Sequence, residues 1–281
     1  MKKNKLSNKF NICIGLIAIV SFITFSISFF NIITWKIDSK KTLNQVKIVQ
    51  EQVDIKEVIE EDHESIEIIE QEEPVPQFDP YWGYIKMNLI NVDIGELKII
   101  NNDIKGWIQV NGTNINYPFV QTKDNKYYLT RSFDRSYNQA GWVFLDYRNN
   151  IEELNKNNVL YAHGRYDGTM FGSLKNILES GWVNDTNNHI IKLSTDKHNT
   201  MWQVFSVYKI PTTNDYIQVN FSSNEEFLEF GNKLIERSSY KFNTSISAID
   251  KILTLSTCYN DNEKVVLHAK LIKIDNKNNI G

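Results

Sequence analysis

The stretch ILTLSTCYNDNEKVVLHAKLIKI (252–274) holds two runs rich in β-branched and aliphatic residues, split by the polar break Tyr259–Glu263. Two such runs across a short polar connection predict an antiparallel hairpin. Closing it over Tyr259–Glu263 places Cys258 directly opposite Lys264, and opposite residues share a face with Cβ atoms about 5 Å apart. A thiol with a fixed positive charge beside it is a setting that favours thiolate. His268 lies on the same face, but four residues beyond Lys264 it is about 13 Å away at the rise of a strand. It is therefore expected as a barrel or surface residue and not as a partner of the thiol.

Upstream, the chain from about Phe78 continues in short β-rich runs: 106–110, 142–145, 159–162, 190–193 and 201–208. Turn residues separate them, with Asn111-Gly112 marking a tight hairpin. Two segments have helical spacing instead. One covers about 91–101. The other, 224–238, sets Phe227, Leu228, Leu234 and Ile235 behind a Ser222-x-x-Glu225 start. Many short strands with few helices predict a mainly β domain, a barrel or a sandwich.

The N-terminal part has a different composition. Phe10 to Ile33 carries no charge over 24 residues, enough to cross a hydrocarbon core of roughly 30 Å. Lys2, Lys3, Lys5 and Lys9 precede it, so the positive-inside rule predicts a cytoplasmic N-terminus and an extracellular remainder. A cleaved signal peptide is the competing possibility, but its apolar region is usually about 7–15 residues. The expected division is a basic tail at 1–9, a membrane anchor at 10–35, a stalk at 36–77 and an extracellular domain at 78–281. Residues 51–73 hold eleven acidic groups against Lys56 alone, and Pro74 and Pro76 follow, which predicts a solvated spacer. No basic patch with interleaved aromatics is present, so nucleic acid is not expected as a partner.

The only cysteines are Cys13, in the apolar run, and Cys258. The globular part can form no internal disulfide, which leaves Cys258 as a buried small residue or a nucleophile. A catalytic thiol needs a base. Of the five histidines, His63 lies in the acidic stalk, while His189 and His198 sit in polar contexts that predict solvated loops. His163 follows the apolar run 159–162 and precedes Gly164, a setting common for catalytic residues at strand ends.

The segment Thr254-Leu255-Ser256-Thr257-Cys258 resembles the TLxTC signature of sortases, the cysteine transpeptidases of Gram-positive bacteria. The stretches INNDIKGWIQV (100–110), INYPFVQTKDNKYYL (115–129), GWVFLDYRN (141–149), NNVLYAHGRYDGTMFGSLKN (157–176) and VVLHAKLIKI (265–274) resemble class B members in the same order, covering about residues 84–274. The resemblance implies a closed, roughly eight-stranded β-barrel with an N-terminal helical element and a helix before the cysteine strand. It implies Cys258 as nucleophile and His163 as catalytic histidine. The third member is an arginine in a pattern like R-x-V-V-x-A-K, and here that position is Lys264. The last arginine of the chain is Arg237. Lysine is a flexible point charge where arginine offers a planar fork. Arg165, two residues past His163, is a second cation that could serve.

The implied chemistry is attack of the Cys258 thiolate on a Thr–Gly-like bond in a C-terminal sorting signal, often Asn-Pro-like. Proton transfer by His163 and release of the acyl group to a peptidoglycan-precursor amine complete it. Lys264 and the backbone N–H of Tyr259 would hold the oxyanion, and Ser256, Thr257 and Arg165 would touch substrate. The connection at about 211–247 would wall the peptide groove. Surface proteins are the implied cargo, with no cofactor or metal. An L,D-transpeptidase is a different class using Cys and His at the wall, but its glycine before and arginine after the cysteine are absent at Thr257 and Tyr259. A degenerate sortase acting as a surface binding or assembly module is the non-enzymatic alternative.

Overall fold

The computed structural model describes residues 2–58, 66–69, 80–258 and 262–277. The chain divides into two compact units, at residues 1–41 and 42–281. Helix α1 (Lys2–Glu51) supplies the first and enters the second. Within the first unit, residues 10–33 expose apolar side chains all round, Phe22, Ile23 and Phe25 among them. A helix apolar on every side suits lipid rather than water, and from Phe10 this one is long and apolar enough to be a candidate membrane span.

The second unit is a closed barrel. Its strands are β3 (Leu89–Val92), β4 (Ile104–Val110), β5 (Asn116–Val120), β6 (Phe144–Leu145), β7 (Asn157–Tyr161), β8 (Ile190–Thr195), β9 (His198–Pro211), β10 (Ile252–Cys258) and β11 (Glu263–Asn276), preceded by β1 (Ile55–Val58) and β2 (Ile66–Ile68). Eight of them run β10-β7-β6-β5-β4-β8-β9-β11, and the β10–β11 pairing shuts the ring. Closure leaves no open edge along these strands. β2 adds beside the far end of β11, and β1 pairs with β3 in a separate two-stranded sheet. The expected eight-stranded barrel is the observed fold.

Alternation along the last hairpin explains its composition. Leu253, Leu255, Val265, Leu267 and Ala269 point into the barrel core with Trp107, Phe119 and Trp202. Ile252 and Val266 point outward, yet they are buried as well, under a helix. Among the described residues the α-helices are α1, the short α2 (Tyr81–Tyr84), α3 (Gly95–Ile100) and α4 (Ser180–Val183), and α5 (Asn224–Glu236). Phe227, Phe230 and Leu234 of α5 cover the outer face of β9, β10 and β11 with Phe205 and Tyr208. Strands buried on both faces read as near-continuous apolar runs. The N-cap of α5 is Ser223, whose hydroxyl accepts from the Glu226 N–H while the Glu226 carboxylate accepts from the Ser222 N–H. The capping pair therefore sits one residue later than the expected Ser222–Glu225.

The stalk expected at 36–77 is in part folded structure. α1 runs on to Glu51, Val49 is 1% exposed in the barrel core, and Val46 and Val53 pack beside it. The Phe133 N–H donates to Gln45, and Asn138 donates to Thr42. The helical valine spacing outweighs the acidic composition here, because it offers an apolar stripe to a waiting core. Most of the acidic run, His63 included, lies outside the described residues.

Candidate active site

Two strand pairings build the site. β10 lies antiparallel to β11 with Cys258 opposite Lys264, the register expected from sequence. On its other side β10 runs parallel to β7, pairing Thr254 with Val159 and Ser256 with Tyr161. Two residues further along both chains stand Cys258 and His163, so a parallel register brings together positions 95 residues apart. Thr257 reinforces the junction: its hydroxyl donates to the Ala162 carbonyl at 2.8 Å, one residue before His163. Thr257→Val is expected to lower turnover several-fold, about 1 kcal/mol for one lost buried hydrogen bond. Peptide-cleavage kinetics check it, and an unchanged kcat would remove Thr257 from the support of His163.

His163 is half-buried, and its Nε2–H donates to the Leu129 carbonyl at 2.8 Å. A carbonyl can only accept, so the neutral ring carries its proton on Nε2 and leaves Nδ1 basic. Burial holds the imidazole below its ordinary range. The Leu129 carbonyl opposes that shift, and the positive charges of Arg165 and Lys264 add to it. Gly141, at φ +63°, lies close under the ring, where a Cβ would come 3.1 Å from His163 Cδ2.

A cleft of ≈ 310 Å³ collects His163, Lys264, Ser256 and Thr257, with Leu129 and Tyr216 on its sides. Ser256 Oγ is hydrogen-bonded to Tyr216 Oη at 2.9 Å. Beneath the cleft, buried Asp146 accepts from Arg148 Nη2 at 2.7 Å, from Tyr161 Oη at 2.9 Å and from Asn125 at 2.9 Å. These bonds, Arg148's first among them, offset burial and hold its carboxyl below the usual range. In sequence Asp146 lies between apolar Leu145 and the aromatic–arginine pair Tyr147-Arg148, a local signal for a buried ion pair.

Arg165 is tied to Asp167, Nη2 to Oδ2 at 3.0 Å, with both side chains largely buried. Asp167 also accepts from the Thr169 hydroxyl and N–H. Tyr259 lies outside the described residues. Three histidine expectations resolve differently. His268 is fully buried in the outer core, bonded to Tyr208 Oη and Thr254 Oγ1 at 2.8 Å each. His189 and His198, expected in solvated loops, are both buried. Nε2 of His189 donates to the Val183 carbonyl and that of His198 to the Ile151 carbonyl. Their neighbours Asn187 and Lys197 do face solvent, while the imidazoles turn inward to reach backbone carbonyls. Among the described residues no cluster of ligating side chains could hold a metal ion.

Residues 108–272 match the Sortase domain family model. The chain is 36% identical over 182 residues to "Sortase B" of Staphylococcus aureus, covering 63% of this chain and 74% of that one. Crystal structures agree. Sortase B from B. anthracis in complex with AAEK1 superposes with TM-score 0.60 at 41% identity, covering 64% of this chain and 84% of that one. A sortase B complexed with triglycine gives TM-score 0.60 at 35% identity, with 63% and 84% covered. The chain belongs to the sortase family, in class B. It is a cysteine transpeptidase.

Proposed function

We propose that this sortase cleaves a C-terminal sorting signal at a Thr–Gly-like bond and joins the acyl fragment to a cell-wall amine, with Cys258 as nucleophile. The observation that carries this is the double register of β10, which sets Cys258 opposite Lys264 and in step with His163 beside one cleft. In the first half-reaction the Cys258 sulfur attacks the threonine carbonyl and the C–N bond breaks. His163, protonated at Nδ1, gives that proton to the departing amine. In the second, an incoming amine attacks the thioester, returns its proton to His163 and releases the thiolate. The triglycine bound to a relative supports a glycine-type amine as the acceptor. Lys264 and the N–H of Tyr259 stabilise the oxyanion in both halves. Ser256 and Thr257 on the cleft surface contact the signal, and Arg165 contributes positive charge near His163.

The lysines before Phe10 support a cytoplasmic N-terminus, the span at 10–35 and the barrel outside the cell. We assign residues 42–58 and 66–69 to the catalytic unit, since they pack on it or pair with it. The proposal is tested by incubating the extracellular unit with sorting-signal peptides and reading intact mass. A thioacyl adduct on Cys258 is expected, absent in Cys258→Ala. Absence of any adduct with every Asn-Pro-type peptide would favour a binding module instead.

A further inference from the structure

Residues 212–217 form one side of the cleft, contributing Thr212, Thr213, Asn214, Tyr216 and Ile217 to its lining. Apart from a single-turn bend this segment has no regular structure, and its backbone is tied mainly towards its ends, the Thr212 N–H donating to the Asn262 carbonyl and the Tyr216 carbonyl accepting from Asn157. Asp215 is the one residue of the six absent from the lining, and it turns the other way. Its carboxylate accepts from both amino groups of Arg237, the C-cap of α5, with Oδ1 at 3.1 Å from Nη1 and Oδ2 bonded to Nη2. Lys233 Nζ, one turn earlier on α5, lies 2.7 Å from Oδ2. The Thr213 hydroxyl donates to Oδ1 at 3.1 Å. On the opposite side Arg148 Nη2 donates to the Ile217 carbonyl at 2.9 Å while holding Asp146. The middle of the wall is thus tied to α5 through Arg237 and its far end to Asp146 through Arg148.

We infer that Asp215, Lys233 and Arg237 act as positioning residues, an ionic clasp that fixes the cleft wall for the peptide substrate. None of the three lines the cleft; they act through Thr213, Tyr216 and Ile217. Two features make the clasp more than a surface ion pair. A two-pronged arginine–carboxylate contact fixes direction as well as distance. Both cations also sit at the C-terminal end of α5, where the helix carbonyls favour positive charge. Thr212 and Tyr216 keep their own bonds to Asn262 and Asn157, but residues 213–215 between them lose their tie to α5 when the Asp215 carboxylate is neutralised. Substrate binding then has to order them, and ordering lowers affinity without altering the reacting groups. The clasp bears on binding, not on the thiol.

The inference rests on the proposed peptide-cleaving reaction. Asp215→Asn is expected to raise KM for a sorting-signal peptide about tenfold, the factor that 1.4 kcal/mol makes in a binding constant, with kcat within about twofold. Arg237→Gln should match it. The double variant should lose no more than either alone, because neighbours acting through one contact are not additive. Arg237→Lys, which keeps the charge, should recover part of the affinity. Hydrogen exchange should show lost protection at 212–217 with β10 and β11 unchanged. Independent, multiplying losses in the double variant, or a fall in kcat at constant KM, would overturn the clasp. If Asp215→Asn fails to fold, Arg237→Lys and Lys233→Met carry the same comparison. A wild-type enzyme that forms no acyl adduct would instead sink the cleavage reaction itself, an outcome read before any variant is made.

Discussion

Lys264→Ala is expected to lower kcat for sorting-signal cleavage by about 10²–10³, the usual cost of removing one oxyanion donor, while Lys264→Arg retains or raises it. Lys264 stands opposite Cys258 at the start of β11, pairs with Ile210 on its other side, and reaches the cleft. Its strand position is fixed by two ladders, so only the side chain is adjustable. A lysine there supplies charge but not a planar pair of donors. The arginine variant tests whether the fork matters, and the alanine variant whether the charge does. Steady-state kinetics with a quenched-fluorescent peptide separates them. Removing the charge also relieves His163 of one of the influences that lower its pKa. The limb of the pH–kcat/KM profile that His163 sets, expected below the ordinary imidazole value of about 6.5, should therefore move upward in Lys264→Ala. An alanine variant with wild-type kcat and an unmoved limb would end the assignment of Lys264.

Acid is expected to begin destabilising the barrel at pH values above the range where carboxylates titrate, and His268 is a principal contributor. Thr254 donates its hydroxyl proton to Asn157 and so accepts from His268 Nδ1–H, which leaves Nε2 to accept from Tyr208. The network is satisfied with a neutral ring. Burial pushes the His268 pKa down to about 3, and the Arg237 charge adds to the shift. The sign follows from linkage. The unfolded chain takes up the proton near pH 6.5 and the folded one does not. The stability present above pH 6.5 is therefore lost progressively as pH falls toward 3. A shift of this size is worth on the order of 5 kcal/mol, comparable with the net stability of many domains. Burial lowers His189 and His198 as well, in the same direction. Thermal melts at pH 7.5 and 5 should show a marked loss for wild type and a much smaller one for His268→Gln. Equal losses in both would place the acid sensitivity elsewhere.

The hairpin at the end of the chain was legible in sequence to the residue, because alternation and a short connection leave one register that pairs both apolar runs. The barrel itself was not. Periodicity cannot tell a closed sheet from a sandwich, and the eight-stranded expectation came from resemblance at 100–176 and 254–274. The packing of residues 46–53 was not legible, because local charge hid a helix stripe whose partner, the barrel core, is remote in sequence. His163 and Cys258 stood out by their settings, each at the end of an apolar run. The Asp215 clasp did not, because Arg237 is 22 residues away and no local spacing announces it; Asp146 has a local partner in Arg148, but its bonds to Tyr161 and Asn125 come from remote segments.

The place of β10 between β7 and β11 has a kinetic consequence. Strands β4 to β9 can assemble through mostly neighbouring pairings, but the ring stays open until β10 enters from about 95 residues away. Contacts so distant in sequence make folding slow. Meanwhile β7 presents an unpaired apolar edge, the kind of surface on which chains associate wrongly. The insertion that ends this exposure is also the one that delivers the thiol strand to His163. On the proposed mechanism an incompletely folded chain cannot acylate, and activity is expected to appear only when the barrel shuts.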